Sequence, residues 1–263
     1  MNQEILGDCL EIMPTLPDKS IDMILCDLPY GTTDCKWDTI IPFEPLWAQY
    51  KRLIKNNGAI VLTASQPFTS ALVMSNPGWF KYEWIWDKVR GANFFNLGNR
   101  PLKTQEQVLV FSKTAAFTFN PHRVFRSESS LKRDPIGKSR KYKSAVTSNI
   151  GHYNRDINGT CSYNEDGKKH PVDIIRFSIV EKGVYELKHP TKKPVALFEY
   201  LIRTYTNEGD TVLDNCAGSF TTAIACLNTN REYICIEKDE KYFEVGRNRI
   251  HNHLIKKEGE LQF

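Results

Sequence analysis

Short apolar runs rich in β-branched and aromatic residues recur along this 263-residue chain with helix-like stretches between them, and that alternation constrains the fold more than any other feature. A strand covered by helices on both faces needs no polar side, so it reads as a near-continuous apolar segment. Runs of this kind occupy residues 4–9, 21–27 (IDMILCD), 58–64, 82–88, 106–113, 211–216 and 233–239. Between them, FEPLWAQYKRLIKN opens near Pro42 and stops at Asn57-Gly58, and PVALFEYLIRTYT repeats its apolar residues at helical spacing. KYFEVGRNRIHNHLIKK reads as a terminal helix. The pattern predicts an α/β fold, a doubly wound, mostly parallel seven-stranded sheet.

The alternation breaks over residues 115–188, where turn residues and charge replace periodicity. This stretch reads as an insertion between two parts of one domain, 1–114 and 189–263. It also carries the charge asymmetry. Between Pro121 and Arg155 stand Arg123, Arg126, Lys132, Arg133, Lys138, Arg140, Lys141, Lys143 and Arg155 against only Glu128 and Asp134, so this block is +7 while the whole chain is +4. Such a block suits a polyanion, and a solvated loop is the plainer alternative.

Other classes are excluded quickly. The longest apolar runs, such as AIVLTA at 59–64, fall far short of the roughly 20 residues a bilayer needs. The start, MNQEILGDCL, has no signal-peptide pattern, so a cytoplasmic chain away from membranes is expected. The seven cysteines form no CxxC pair, which speaks against a disulfide scaffold or a zinc site, and Cys26, Cys226 and Cys235 read as buried small hydrophobes.

Two segments carry chemistry. In TVLDNCAGSFTTAIACL (211–227), an apolar strand runs into Asp214, a small-residue turn and a helix beginning near Ser219 to Thr222. Strand ends of this type bind nucleotide-like ligands, although an ordinary βα turn remains open as the alternative. A second strand ends at Glu237, where a carboxylate can hold two ribose hydroxyls. Neither GxGxxG nor the full P-loop pattern GxxxxGK[ST] is present, which leaves an adenosine ligand without phosphates, and S-adenosylmethionine fits.

The other segment is Asp27-Leu28-Pro29-Tyr30, at the end of IDMILCD. The carboxylate and the carbonyl beside a proline, which has no N–H, are acceptors only, and two acceptors suit an –NH₂ group. Drawing off both amine hydrogens makes the nitrogen more tetrahedral and frees its lone pair to attack a methyl. Tyr30 offers a ring for stacking on a flat heterocycle. A strand capped by a Pro turn is the structural alternative.

These segments resemble the β-class DNA amino-methyltransferases, in which D-P-P-Y precedes the cofactor motif. Asp27-Leu28-Pro29-Tyr30 is similar to D-P-P-Y, residues 213–222 to L-D-x-x-x-G-S-G-T-T, and residues 189–194 (HPTKKP) to H-P-T-x-K-P. The resemblance implies a Rossmann-like methyltransferase fold and a site-specific enzyme moving a methyl from S-adenosylmethionine to N6 of an adenine flipped out of double-stranded DNA. It implies that Asp27, Leu28, Pro29 and Tyr30 act on the target. It places the cofactor against Asp8, Cys9, Asp27, Thr191, Lys193, Asp214, Cys216, Ala217, Gly218, Ser219, Thr221, Glu237 and Lys238, with Thr191 and Lys193 on its carboxylate.

The insertion then corresponds to a target-recognition region, its nine basic residues on phosphates and Tyr142, His152, Tyr153, Asn154 and Arg155 within reach of bases. Trp86-Asp87-Lys88 and residues 93–100 border the target pocket, with Trp86 itself read as core, and His189 orders its segment. A homodimer and a cognate restriction endonuclease are partners left open. Two positions depart from the pattern. Leu28 stands for a proline, and Phe220 stands for a glycine, where a bulky side chain narrows the ligand space or requires a different turn. Alternatives are cytosine-N4 transfer, an inactive DNA-binding relative with its cofactor site blocked by Phe220, and methylation of RNA or a protein amide.

Overall fold

The structure is a computed structural model describing residues 2–33, 38–92, 98–99, 101–133, 140–141, 160–161, 166–179 and 193–260. In chain order its elements are β1 (Gln3–Leu6), α1 (Cys9–Ile12), β2 (Ile21–Asp27), α2 (Phe43–Leu53), β3 (Ile54–Ala64), α3 (Phe68–Ser75), β4 (Phe80–Ala92) and β5 (Lys103–Phe111). There follow β6 (Val124–Phe125), α4 (Glu128–Arg133), β7 (Arg140–Lys141), β8 (Thr160–Cys161), β9 (Lys168–Lys169) and β10 (Ile174–Arg176). The last are α5 (Val195–Tyr205), β11 (Thr211–Asp214), α6 (Thr221–Thr229), β12 (Glu232–Glu237) and α7 (Glu240–Glu260).

The main sheet has the order β1-β12-β11-β2-β3-β5-β4-β10. All neighbours are parallel except β5, which runs antiparallel to both β3 and β4. It therefore has eight strands where the sequence suggests seven. The extra one, Ile174–Arg176, pairs with β4 and is too short to show a period of its own.

Alternation along β2 shows why its sequence is apolar throughout. Met23 and Leu25 enter one core with Val212, Leu201, Phe198 and Ile224, while Ile24 and Cys26 enter the other with Leu46, Tyr50, Ile60 and Leu213. Each such side chain taken fully from water stabilises the fold by about 1.5–3 kcal/mol. Cys26, Cys226 and Cys235 are fully buried in these cores, as their apolar surroundings predict.

The helices follow the same logic. Leu46, Trp47, Tyr50 and Leu53 give α2 one buried stripe, and Leu197, Phe198, Leu201, Ile202 and Tyr205 do so for α5. Proline precedes each, at 42 and 194, where its missing N–H costs nothing. α2 ends at Leu53 rather than Asn57, because Ile54 already pairs with Ile21 of β2. Four residues on, a Cβ at Gly58 would lie 2.7 Å from the Asp22 carbonyl oxygen, so only glycine fits.

Parallel register places the ends of β1, β2, β11 and β12 on one rim. Leu6 pairs with Glu237, Asp214 with Cys235, and Asp27 with Thr63 of β3. From the neighbours β11 and β2 the chain departs in opposite directions, through α6 to β12 and through α2 to β3, so a crevice opens there as at the switch point of any doubly wound sheet.

The chain divides into two compact units, residues 1–120 with 173–263, and residues 121–172. The second unit is narrower than the expected insertion of 115–188, because residues 173–179 return to edge the main sheet. Within it β6 pairs with β9, β7 with β8, and Arg123 makes two hydrogen bonds to Asp166 at 2.8 and 2.9 Å. Among the described residues no helix is long and apolar enough to cross a membrane.

Candidate active site

At that rim lies a cleft of about 600 Å³, lined among others by Asp8, Cys9, Asp27, Pro29, Lys193, residues 214–219, Thr221, Glu237 and Lys238. Asp27 and Gly218 thus face one space, although they belong to different strand ends. Every expected cofactor residue lines it except Thr191, which lies outside the described residues.

On the β11 side the turn is built from carboxylates holding backbone. Asp214 Oδ1 accepts from the Cys216 N–H at 3.1 Å and Oδ2 accepts from the Thr222 hydroxyl, which ties the strand end to the first turn of α6. Burial pushes its carboxyl up to about 7 against those hydrogen bonds. Glu237 Oε2 accepts from the Gly218 N–H at 2.7 Å and Oε1 from the Asp239 N–H at 2.8 Å. Burial raises this carboxyl too, and each oxygen keeps a lone pair for a hydroxyl donor. Asp8 caps α1 through the Leu10 N–H and accepts from Lys238 Nζ at 2.8 Å. That hydrogen bond holds its carboxyl below the usual range.

Phe220 does not enter the cleft. It sits in the left-handed region at φ 57, fully buried, with its ring edge-on to Phe243 at 5.7 Å. The different turn is what the bulky residue takes, and its ring leaves the ligand space for the core between α6 and α7. The ground for a cofactor site blocked by Phe220 is thereby removed.

The β2 side holds one carboxylate from several directions. The Tyr30 hydroxyl donates to Asp27 Oδ1 at 2.8 Å and lies 3.0 Å from the Thr63 hydroxyl, which donates to the same oxygen. Lys193 Nζ donates to Asp27 Oδ2 at 2.7 Å. Burial opposes the charge on Lys193, but the carboxylates of Asp27 and Glu106 outweigh it and raise its pKa. Burial and the same two carboxylates raise the Tyr30 phenol well above its ordinary value.

Lys193, which the resemblance assigns to a cofactor carboxylate, lines the cleft and gives its ammonium to Asp27. The Tyr30 ring stacks on Phe68, centroids 5.3 Å apart, so one face is already covered and the hydroxyl anchors Asp27. Leu28 is buried in the α2-side core, and Pro29 lines the cleft. The loop after Tyr30 is gathered by Asp38, which accepts from the N–H groups of Gly31, Thr32 and Thr33 and from the Thr33 hydroxyl at 2.7–2.9 Å. Burial would raise this carboxyl, but those donors hold it below the usual range.

Sequence reading missed Thr63, Glu106 and Asp38. Asp38 alone carried a local signal, an acid shortly after a Gly-Thr-Thr turn. Of the basic block, Arg123, Arg126, Lys132 and Arg133 are described, and Arg123 is engaged by Asp166. Arg140 and Lys141 are seen only as backbone in β7, while Lys138, Lys143 and Arg155 lie outside the described residues, as do Tyr142, His152, Tyr153, Asn154 and His189.

A family model described as DNA methylase matches residues 21–248. The type II methyltransferase M.HpaI of Haemophilus parainfluenzae is 28% identical over 266 residues, covering 95% of this chain and 74% of that protein. The DNA adenine methyltransferase YhdJ of Escherichia coli is 28% identical over 265 residues, covering 94% and 81%. The crystal structure of an M1.HpyAVI–SAM complex superposes with a TM-score of 0.62 at 25% identity, over 95% of this chain and all of that one. The cytosine-N4-specific PvuII DNA methyltransferase reaches 0.64 at 16% identity over 94% and 85%, which speaks to the fold alone.

Proposed function

The chain belongs to the DNA methylase family, and from that premise we propose that it methylates the N6 amino group of an adenine turned out of duplex DNA, with S-adenosylmethionine as donor. The observation that carries this reading is Asp27, a carboxylate fixed from both sides at the rim of the cleft that also holds Asp214 and Glu237.

The cleft suits the donor. Glu237 keeps acceptor capacity for the ribose hydroxyls, Asp8 stands ready for the adenine amine, and Ala217, Gly218 and Ser219 let the ligand approach the backbone. When bound, S-adenosylmethionine supplies a methyl group activated by a cationic sulfur. The chain's own work is alignment and charge. Asp27 accepts a hydrogen bond from the target amine, stabilises the positive charge that develops on its nitrogen as the methyl arrives, and takes the proton that the methylated nitrogen then releases to become neutral. Tyr30 and Thr63 keep Oδ1 pointed, and Lys193 keeps the carboxylate at the rim. The Leu28 carbonyl takes the second amine hydrogen, next to a proline that offers no competing donor.

Adenine rather than cytosine is supported by the aspartate in DLPY and by relatives named as adenine methyltransferases. Residues 121–172 serve as the target-recognition unit, the exposed Lys132 and Arg133 among its phosphate-seeking side chains, while the Arg126 guanidinium donates to Ser130. A cytoplasmic location, a homodimer and a cognate endonuclease of the type II relatives' restriction–modification setting belong to the same proposal. The test incubates the protein with labelled S-adenosylmethionine and mixed-sequence duplex DNA, then digests to nucleosides. Label in N6-methyladenine is expected. Label in N4-methylcytosine refutes the base assignment, and no label refutes the activity.

A further inference from the structure

Behind Asp27 and Lys193 stand two charged side chains to which no role has been given. Lys193 Nζ, 2.7 Å from Asp27 Oδ2, lies 3.5 Å from Glu106 Oε2 on its other side. Glu106 Oε1 accepts in turn from Lys88 Nζ. The side chains of Lys193, Lys88 and Glu106 are only 8%, 10% and 12% exposed. Four alternating charges therefore run from the rim into the sheet, Asp27⁻, Lys193⁺, Glu106⁻ and Lys88⁺, and they sum to zero.

Burying ionised groups is expensive, and apolar residues of similar volume commonly serve a core as well or better. Among the described residues Glu106 Oε2 accepts no hydrogen bond, and Lys193 Nζ lies 3.5 Å from it, an unusual state for a buried carboxylate oxygen. An ammonium held by a single carboxylate would saturate it and weaken it as an acceptor. Shared between two carboxylates, it holds Asp27 in place while leaving it electron density for the target amine.

We propose that Glu106 and Lys88 are positioning residues for methyl transfer, setting through Lys193 the orientation and charge of Asp27. The inference rests on the reading of Asp27 as the acceptor of the target amine. Among the described residues, the charged and titratable groups around Asp27 are Cys26 beside it on β2, Tyr30 in the loop after it, Lys193 ahead of α5, Glu106 on β5 and Asp214 on β11, with Lys88 of β4 behind Glu106.

The signs are opposite for the two positions. Lys88→Met leaves the chain of charges at −1, and the added negative charge moves the acid limb of kcat up. Glu106→Gln leaves it at +1, and the limb moves down. Each displacement is on the order of half to one pH unit. The double variant is neutral again and returns the limb to its wild-type position.

The experiment measures kcat against pH for the full chain with labelled S-adenosylmethionine and mixed-sequence duplex DNA, for wild type, both single variants and the double variant, with calorimetry on the cofactor as the check of folding. Opposite displacements that cancel in the double variant support the proposal. Limbs that stay at the wild-type pH, or move the same way, overturn it. Where Glu106→Gln does not fold, Glu106→Asp keeps the charge and must slow transfer without moving the limb, while Lys88→Met must still move it up; failure of either overturns the proposal. An unlabelled wild-type reaction defeats the proposed function, whereas a labelled one with unmoved limbs defeats this inference alone.

Discussion

Asp27 Oδ2 and Lys193 Nζ lie 2.7 Å apart although 166 positions separate them in the chain. One ends a strand and the other opens the approach to α5, so the pair joins the catalytic half of the sequence to the cofactor half. Lys193→Met is expected to lower kcat by roughly 100-fold, the scale of removing one preorganised charge partner, while the calorimetric Kd for S-adenosylmethionine changes less than about tenfold. A loss seen mainly in Kd would return Lys193 to the cofactor.

Asp27→Ala removes the acceptor itself. Transfer should fall by about 1,000-fold or more with cofactor affinity nearly intact. Single-turnover kinetics with labelled donor check the first part and calorimetry the second. Retained turnover would be fatal to the assigned role.

Glu237→Gln acts on the other ligand. Replacing a charged acceptor for ribose hydroxyls by an amide should weaken cofactor binding by about 10- to 100-fold, since hydrogen bonds to charged groups are worth roughly 1.5–3 kcal/mol. Burial raises the Glu237 carboxyl, and its charged form is the one that binds. Wild-type affinity should therefore weaken as pH falls through that raised value, and the Gln variant should lack this dependence.

Asp214 links burial to stability. Its carboxyl lies at about 7 in the fold against an ordinary 3.8, so between those values the folded state holds a proton that the unfolded chain has released. This contribution is fully present below the ordinary value and is lost as pH rises toward 7. Denaturant melts of Asp214→Asn and wild type should diverge in slope across that window, the wild type falling more steeply with pH.

At Phe220 two costs compete. Emptying its pocket costs about 3–5 kcal/mol, whereas the left-handed backbone it occupies costs a side chain roughly 1–2 kcal/mol. Phe220→Ala keeps that strain and Phe220→Gly releases it. Both variants should melt below wild type, with Gly no less stable than Ala, and neither should change cofactor affinity much, because the ring lies outside the cleft.

Much of this was legible in the sequence wherever the signal is local. Asp27, Asp214 and Glu237 each end an apolar run, and a run followed by a turn marks a strand end at the rim of a parallel sheet. Phe220 was legible as a departure but not in its direction, since a left-handed φ at one residue decides whether a ring faces ligand or core. Glu106 lies inside a strand with no turn beside it, Lys88 sits at an irregularity of β4 where Val89 takes φ 69 and Asp87 accepts its N–H, which no residue type announces, and the pairing of Lys193 with Asp27 depends on topology that no periodicity encodes. The edge strand Ile174–Arg176 went unread because three residues cannot display an alternation.

The reversed direction of β5 has its own consequence. Residues that follow parallel strands sit in loops, free to lengthen or swing, but Glu106 is laddered in mid-hairpin, opposite Trp86, in a strand flanked on its other edge by β3. It is a fixed benchmark from which the rest of the rim takes its position. The rim at residues 31–33 is held in the other manner, by a single carboxylate, Asp38, that gathers three successive backbone N–H groups.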